Sequence, residues 1–69
     1  MRDIQLEPGD RTVVNLTNGE AISGEVSTTD RKTGTVFLRK ATLHTEGRQQ
    51  PLDGGIQIPC KSILWVQVV

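Results

Sequence analysis

Apolar and polar residues alternate in short bursts along this chain, and clusters of glycine, proline, asparagine and aspartate separate the bursts. Punctuation at intervals of roughly eight to twelve residues is the spacing of a small all-β barrel or sandwich. Helical periodicity is hard to find. After the turn Pro8-Gly9-Asp10, a first strand is predicted over Arg11–Leu16, and Thr17-Asn18-Gly19 turns the chain into a second strand over 20–28. Asn18-Gly19 is a strong hairpin signal, because both central residues of a type I′ turn need positive φ. Within the second strand Ile22, Gly24 and Val26 share one face while Ser23, Glu25 and Ser27 share the other. A glycine inside a strand marks a bend, a bulge or a close approach of backbone. Gly24 is therefore read as the point where the strand bends sharply enough for a very small barrel to close.

The polar turn at 30–34 ends in Gly34, suited to a positive-φ position before the third strand resumes over 35–43. Alternation puts Val36 and Leu38 on one face of that strand and Phe37, Ala41 and Leu43 on the other. The pattern dissolves over 44–55, HTEGRQQPLDGG, which reads as a polar loop or a frayed, extended hairpin tip. A short fourth strand is predicted over 56–58, cut off by Pro59, which lacks the amide hydrogen a central ladder uses. Residues 59–62 are about one 3₁₀ turn in length, and a strongly β-prone last strand follows over 63–69. The first eight residues are ambiguous: Ile4 and Leu6 begin a strand or sit on a short helical turn.

Size changes the picture. Sixty-nine residues make one domain, 1–69, whose core is too small to be comfortably stable without disulfides, metal or association. The single cysteine, Cys60, forms no internal bridge, and with His44 it supplies only two soft ligands. Association remains. The segment ILWVQVV carries β-branched residues, a tryptophan and no charge, so as a free edge it is an aggregation template that must be covered.

Eight basic and eight acidic side chains cancel, which excludes a bulk nucleic-acid binder and leaves only local anion binding. The longest apolar run, 63–66, is far short of the roughly twenty residues that span a bilayer, and no signal-peptide core follows the N-terminus. A soluble, cytoplasmic protein in a reducing interior is expected. Phosphate-cradling glycine motifs, usefully spaced carboxylate pairs and metal clusters are absent from the sequence, so neither an enzyme nor a bound cofactor is expected.

Five short strands with a 3₁₀ link before the last describe a strongly bent SH3-like barrel. Within that class VVNLTNGEAISGEVSTTDRKTGTVFL, together with IPCKSILWVQVV, resembles the Sm and Sm-like family, Hfq included. Asn18, Gly19, Ile22, Gly24, Val26, Asp30 and Leu38 stand where the family's first motif wants them, and Ile58, Ile63 and Val66 fit its second. Pro59-Cys60 departs from the Arg-Gly or Lys-His common there, and Lys32 and Gly34 stand where the family often has a stacking side chain and an asparagine. The resemblance implies a homo-oligomeric ring. In it the fourth strand of one copy pairs with the last strand of the next, and two turns face a pore that holds single-stranded RNA.

On that resemblance Asp30, Lys32 and Gly34 lie on one pore turn and Cys60, Lys61 and Ser62 on the other, while Ile56, Ile58, Leu64, Trp65, Val66 and Val68 form the subunit interface. Arg31, Lys32 and Lys61 make a positive collar around a pore, or are simply solvated turn residues. Asp30 contacts a base or caps its own turn. Trp65 reads as core or interface packing rather than a stacking platform. Cys60 reads as a small buried hydrophobe rather than a reactive thiol, and His44 as a solvated residue. Stacking on a planar side chain is worth roughly 1–3 kcal/mol per base, so a pore without one binds weakly or by another mode. The alternative is a structural or protein-interaction module, for instance viral or from a mobile element, without RNA contacts.

Overall fold

The computed structural model describes residues 6–69, and Ile4, read as the start of a strand or part of a short helical turn, falls outside them. Six strands follow one another: β1 (Arg11–Leu16), β2 (Ala21–Asp30), β3 (Thr35–Thr45), β4 (Arg48–Pro51), β5 (Ile56–Pro59) and β6 (Ile63–Val68). A 3₁₀ turn, Cys60–Ser62, joins β5 to β6, and no α-helix occurs among the described residues. All pairings are antiparallel, in the order β4-β3-β2-β1-β6, with β5 also laid along β3. The long β3 therefore carries β5 beside its first half and β4 beside its second.

The region 44–55 takes the second of its two expected forms, an extended hairpin. Thr42 to Thr45 pair with Pro51 to Arg48. Glu46 and Gly47 make the turn at φ 45° and 80°, the double left-handed signature of a I′ hairpin. At Asn18-Gly19, where that signature was expected, only Gly19 has positive φ, at 91°. There the loop has three residues, closed by Leu16 N–H to the Glu20 carbonyl at 2.8 Å and Gly19 N–H to the Leu16 carbonyl at 3.1 Å. Asn18 instead accepts the Glu20 amide on Oδ1 at 2.9 Å. Gly34 has the expected positive φ, 64°.

The inner face of the sheet buries Val14, Ile22, Val26, Val36, Leu38, Ala41 and Ile58 together with Leu6, and half-buried Leu16, Leu43, Ile63 and Val66 extend this core. Ala41 and Leu43 lie on the core side, contrary to simple alternation. Between the pairs Ser23↔Thr42 and Glu25↔Arg39, β3 spends two residues, Lys40 and Ala41, against the single Gly24. Lys40 takes up the extra step at φ 52°, so the side chains beyond it change face. Two further register shifts, one around Ser27 in β2 and one at Leu64 in β6, add to the bending.

At the bulge the strands come very close. A Cβ built on Gly24 meets the Arg39 carbonyl oxygen at 3.2 Å and the Ala41 Cα at 3.3 Å. The Gly24 carbonyl also accepts the hydroxyl of buried Thr12 at 3.2 Å. Gly24 thus lies at a close backbone approach in a bent strand, as its place in the pattern predicted.

Candidate functional site

Asp30 closes β2, and its Oδ1 accepts the backbone N–H of Lys32 at 2.9 Å and of Thr33 at 3.4 Å. Through Oδ1 the carboxylate caps its own turn, one of its two expected roles. Across from it, Pro59 ends β5 opposite Thr35, and the Cys60 N–H donates to the Gly34 carbonyl at 2.6 Å. This bond ties the turn at 30–34 to the 3₁₀ turn. On its far side the 3₁₀ turn is held by Thr17 N–H to the Ser62 carbonyl at 2.9 Å. Both turns are therefore fixed by backbone, which leaves the side chains of Arg31, Lys32 and Lys61 in solvent.

The two turns form a cleft of about 360 Å³ lined by Arg31, Lys32, Thr33, Gly34, Pro59 and Lys61. Among the described residues three cations line it and no carboxylate does. Of the six sequence-predicted site residues, Lys32, Gly34 and Lys61 come together here. Gly34 is buried and, having no side chain, contributes backbone only. Cys60 is half-buried and packs against the core, and Ser62 borders a different cleft of about 350 Å³ with Leu16, Ile22, Ile56 and Ile58. Thr33 and Pro59 complete the cationic cleft. Nothing in the residue types marked them, since their place depends on the Cys60-to-Gly34 bond between turns distant in sequence.

The strand edges show where a neighbour can add. Among the described residues β5 pairs only with β3, and β6 only with β1, so each has an open side. Along β6, Leu64, Trp65 and Val68 are 64, 52 and 55% exposed, an apolar display that the other described residues do not cover. Leu64 is the extra residue of the β6 bulge, lying between Trp65 opposite Asn15 and Ile63 opposite Leu16. Val66 and Ile56 are half-buried against the core. Ile58, expected at the interface, has its side chain in the core at 3% exposed, because β5 turns it inward beside Val36, and it offers only backbone to the open edge of β5. Trp65 is a surface residue. His44 is also not simply solvated, since its Nε2 lies 2.9 Å from the Ser23 hydroxyl on the half-buried extension of β3.

No family model matches the chain, and no curated protein matches it by sequence. Solved structures do match it in shape. A heptameric archaeal Sm protein superposes with a TM-score of 0.77 at 20% identity, over 88% of this chain and 87% of the other. The P. aerophilum SmAP1 heptamer gives the same TM-score and identity over 88% of this chain and 80% of its own. A chain of the NatC complex bound to CoA superposes with a TM-score of 0.82 at 17% identity, over 99% of this chain and 90% of that one. Likeness at this level of identity is likeness of fold, and the chain carries the strongly bent antiparallel fold of the Sm proteins.

Proposed function

We propose that copies of this chain join edge to edge into a ring and that the ring presents Arg31, Lys32 and Lys61 to single-stranded RNA. The observation that carries the reading is the cleft itself, where two backbone-locked turns bring three cations together beside the edges of β5 and β6 that are open among the described residues. Pairing β5 of one copy with β6 of the next satisfies both edges and covers Leu64, Trp65 and Val68, which answers the need of a small core for association. It also repeats the cationic cleft around an axis, so a chain of zero net charge acquires a local positive collar.

No aromatic side chain lines the cleft and Asp30 caps its own turn through Oδ1, so contacts to phosphate rather than base stacking supply the affinity. Such binding is sequence-tolerant and falls steeply with salt. Solution mass tests the ring: a multiple of 7.6 kDa is expected, and a monomer at micromolar concentration overturns it. Fluorescence anisotropy with short U-rich and A-rich RNA tests the ligand. Binding that weakens with salt and with Lys32→Ala and Lys61→Ala supports the reading, and binding indifferent to both substitutions defeats it.

A second reading is a structural module that uses the same edges to join a heteromeric protein assembly. Its support is the neutral charge and the likeness, over nearly the whole chain, to a chain of the NatC complex. A chain that stays monomeric alone, binds no RNA and adds to a different protein through β6 favours this reading over the first.

A further inference from the structure

The chain holds two asparagines, Asn15 and Asn18, in very different settings. Asn15 lies inside β1, paired with Ala21 on one side and Trp65 on the other, and its side-chain nitrogen is buried. The peptide N–H that follows it, that of Leu16, donates to the Glu20 carbonyl at 2.8 Å. Asn18 is exposed in the three-residue loop between β1 and β2. It is followed by Gly19, which has no side chain to crowd its nitrogen and where a Cβ would meet nothing within 4 Å.

An asparagine followed by glycine is an electrophile towards its own backbone. The next peptide nitrogen, once it has lost its proton, attacks Cγ and closes a five-membered succinimide. The Cγ–Nδ2 bond breaks, and ammonia leaves with a proton from water. A water molecule then opens the ring at either carbonyl, leaving aspartate or isoaspartate, and no other co-reactant is needed. The loop holds Asn18 away from this geometry. Its Oδ1 accepts the Glu20 N–H at 2.9 Å and its Nδ2 donates to Glu20 Oε1 at 2.9 Å, so both ends of the amide are drawn forward over residue 20. The attacking group, the Gly19 N–H, donates to the Leu16 carbonyl at 3.1 Å. The charge of the Glu20 carboxylate also disfavours turning a neighbouring peptide nitrogen into an anion.

We propose that Asn18 is a modification site, converted spontaneously to aspartate and isoaspartate, and that Glu20 sets the rate by clamping its amide. Both bonds to Glu20 are exposed, so the loop opens locally without unfolding the sheet, and the reaction runs through those openings. The product changes the loop. A carboxylate at position 18 replaces the donor that faces Glu20 with a like charge, and isoaspartate adds a methylene to a loop closed by Leu16 N–H to the Glu20 carbonyl. Asn18 also lines the cleft that runs along β5 with Ile56, Gln57 and Pro59, so each conversion puts a negative charge beside that edge. The site is separate from the cations at Arg31, Lys32 and Lys61, so it stands or falls independently of RNA binding.

The experiment is incubation of the full chain at neutral and mildly alkaline pH, followed by peptide mapping with mass spectrometry that locates and separates aspartate and isoaspartate. Conversion is expected at Asn18 well ahead of Asn15, quickening with pH and faster still in urea, where the clamp is absent. Glu20→Ala removes the acceptor for Nδ2 and is expected to raise the Asn18 rate about twofold to tenfold, the size of one hydrogen bond. Glu20→Gln keeps an uncharged acceptor, and its rate is expected to fall between those of the parent and Glu20→Ala. Rates are compared where circular dichroism and solution mass match the parent, and Glu20→Gln decides the matter if Glu20→Ala does not fold. Three results overturn the proposal: no conversion of Asn18 in the folded parent, Asn15 converting as fast as Asn18, or no rise in rate in the folded Glu20 variants.

Discussion

Replacing Gly24 with alanine tests the bend more directly than any other single change. The added Cβ lies 3.2 Å from the Arg39 carbonyl oxygen, 3.3 Å from the Ala41 Cα and 3.4 Å from its Cβ. None of these atoms belongs to a flexible side chain, so the clash is relieved only by moving β3 at its bulge. Overpacking of this kind costs about 1–3 kcal/mol. Alanine recovers about 0.4–1 kcal/mol by restricting the unfolded chain. A net loss of about 1–2 kcal/mol follows, which in a domain of this size lowers Tm by roughly 4–16 °C. Gly24→Val, with two more methyl groups at the same place, is expected to cost more and to impair assembly.

Gly55→Ala is the control, since its Cβ meets nothing within 4 Å and its φ is not positive. That variant is expected to stay within about 0.5 kcal/mol of the parent. The assay is urea and thermal unfolding by circular dichroism at several protein concentrations, because association makes Tm concentration-dependent. If Gly24→Val leaves both stability and solution mass unchanged, Gly24 is not needed for the bend and the reasoning fails.

Substitution of Trp65 or Val68 by glutamate places a charge on the open edge of β6, and solution mass is expected to fall toward 7.6 kDa while the β-sheet circular dichroism of the monomer persists. Lys40→Gly removes the strain of an L-residue at φ 52°, about 1–2 kcal/mol, against the roughly 0.5–1 kcal/mol that a strand glycine costs, so chemical denaturation is expected to show a gain of about 0.5–1 kcal/mol. Because Arg39 holds the Glu25 carboxyl below its ordinary 4.5, the pair contributes stability above that pH and loses it as pH falls through the lower folded-state value. Carboxyl NMR is expected to find Glu25 titrating below its ordinary 4.5, and Arg39→Ala is expected to bring it back up.

Short-range chemistry was legible wherever it acts alone. The β1–β2 hairpin, the positive φ at Gly19 and Gly34, the 3₁₀ link after Pro59 and the uncovered apolar character of β6 all follow from residue types within a few positions of one another. The hairpin of β3 and β4 was harder to see, because its turn residues are Glu46-Gly47 and its β4 arm is exposed and mostly polar. Its I′ geometry is sustained by four cross-strand pairs rather than by an asparagine.

The candidate site divides along the same line. Its lysines were visible as turn residues, but their convergence depends on the bond from Cys60 to Gly34, which joins segments far apart in sequence. That Asp30 caps its own turn was open in the sequence as one of two roles. Ile58 was expected at the interface on the family resemblance, and its side chain joins the core because β5 lies along β3 with Ile58 opposite Val36.

By itself, then, the sequence determined an all-β chain, the places where it reverses, a strand that bends at Gly24 and a last strand that needs covering. These are consequences of local φ preferences and of which residues water rejects. Tertiary structure alone decided which face Ala41 and Leu43 occupy. The physical reason is the period of two. One extra residue inserted opposite Gly24 reverses the alternation for everything beyond it, and a bulge leaves no mark in the composition of the strand that carries it.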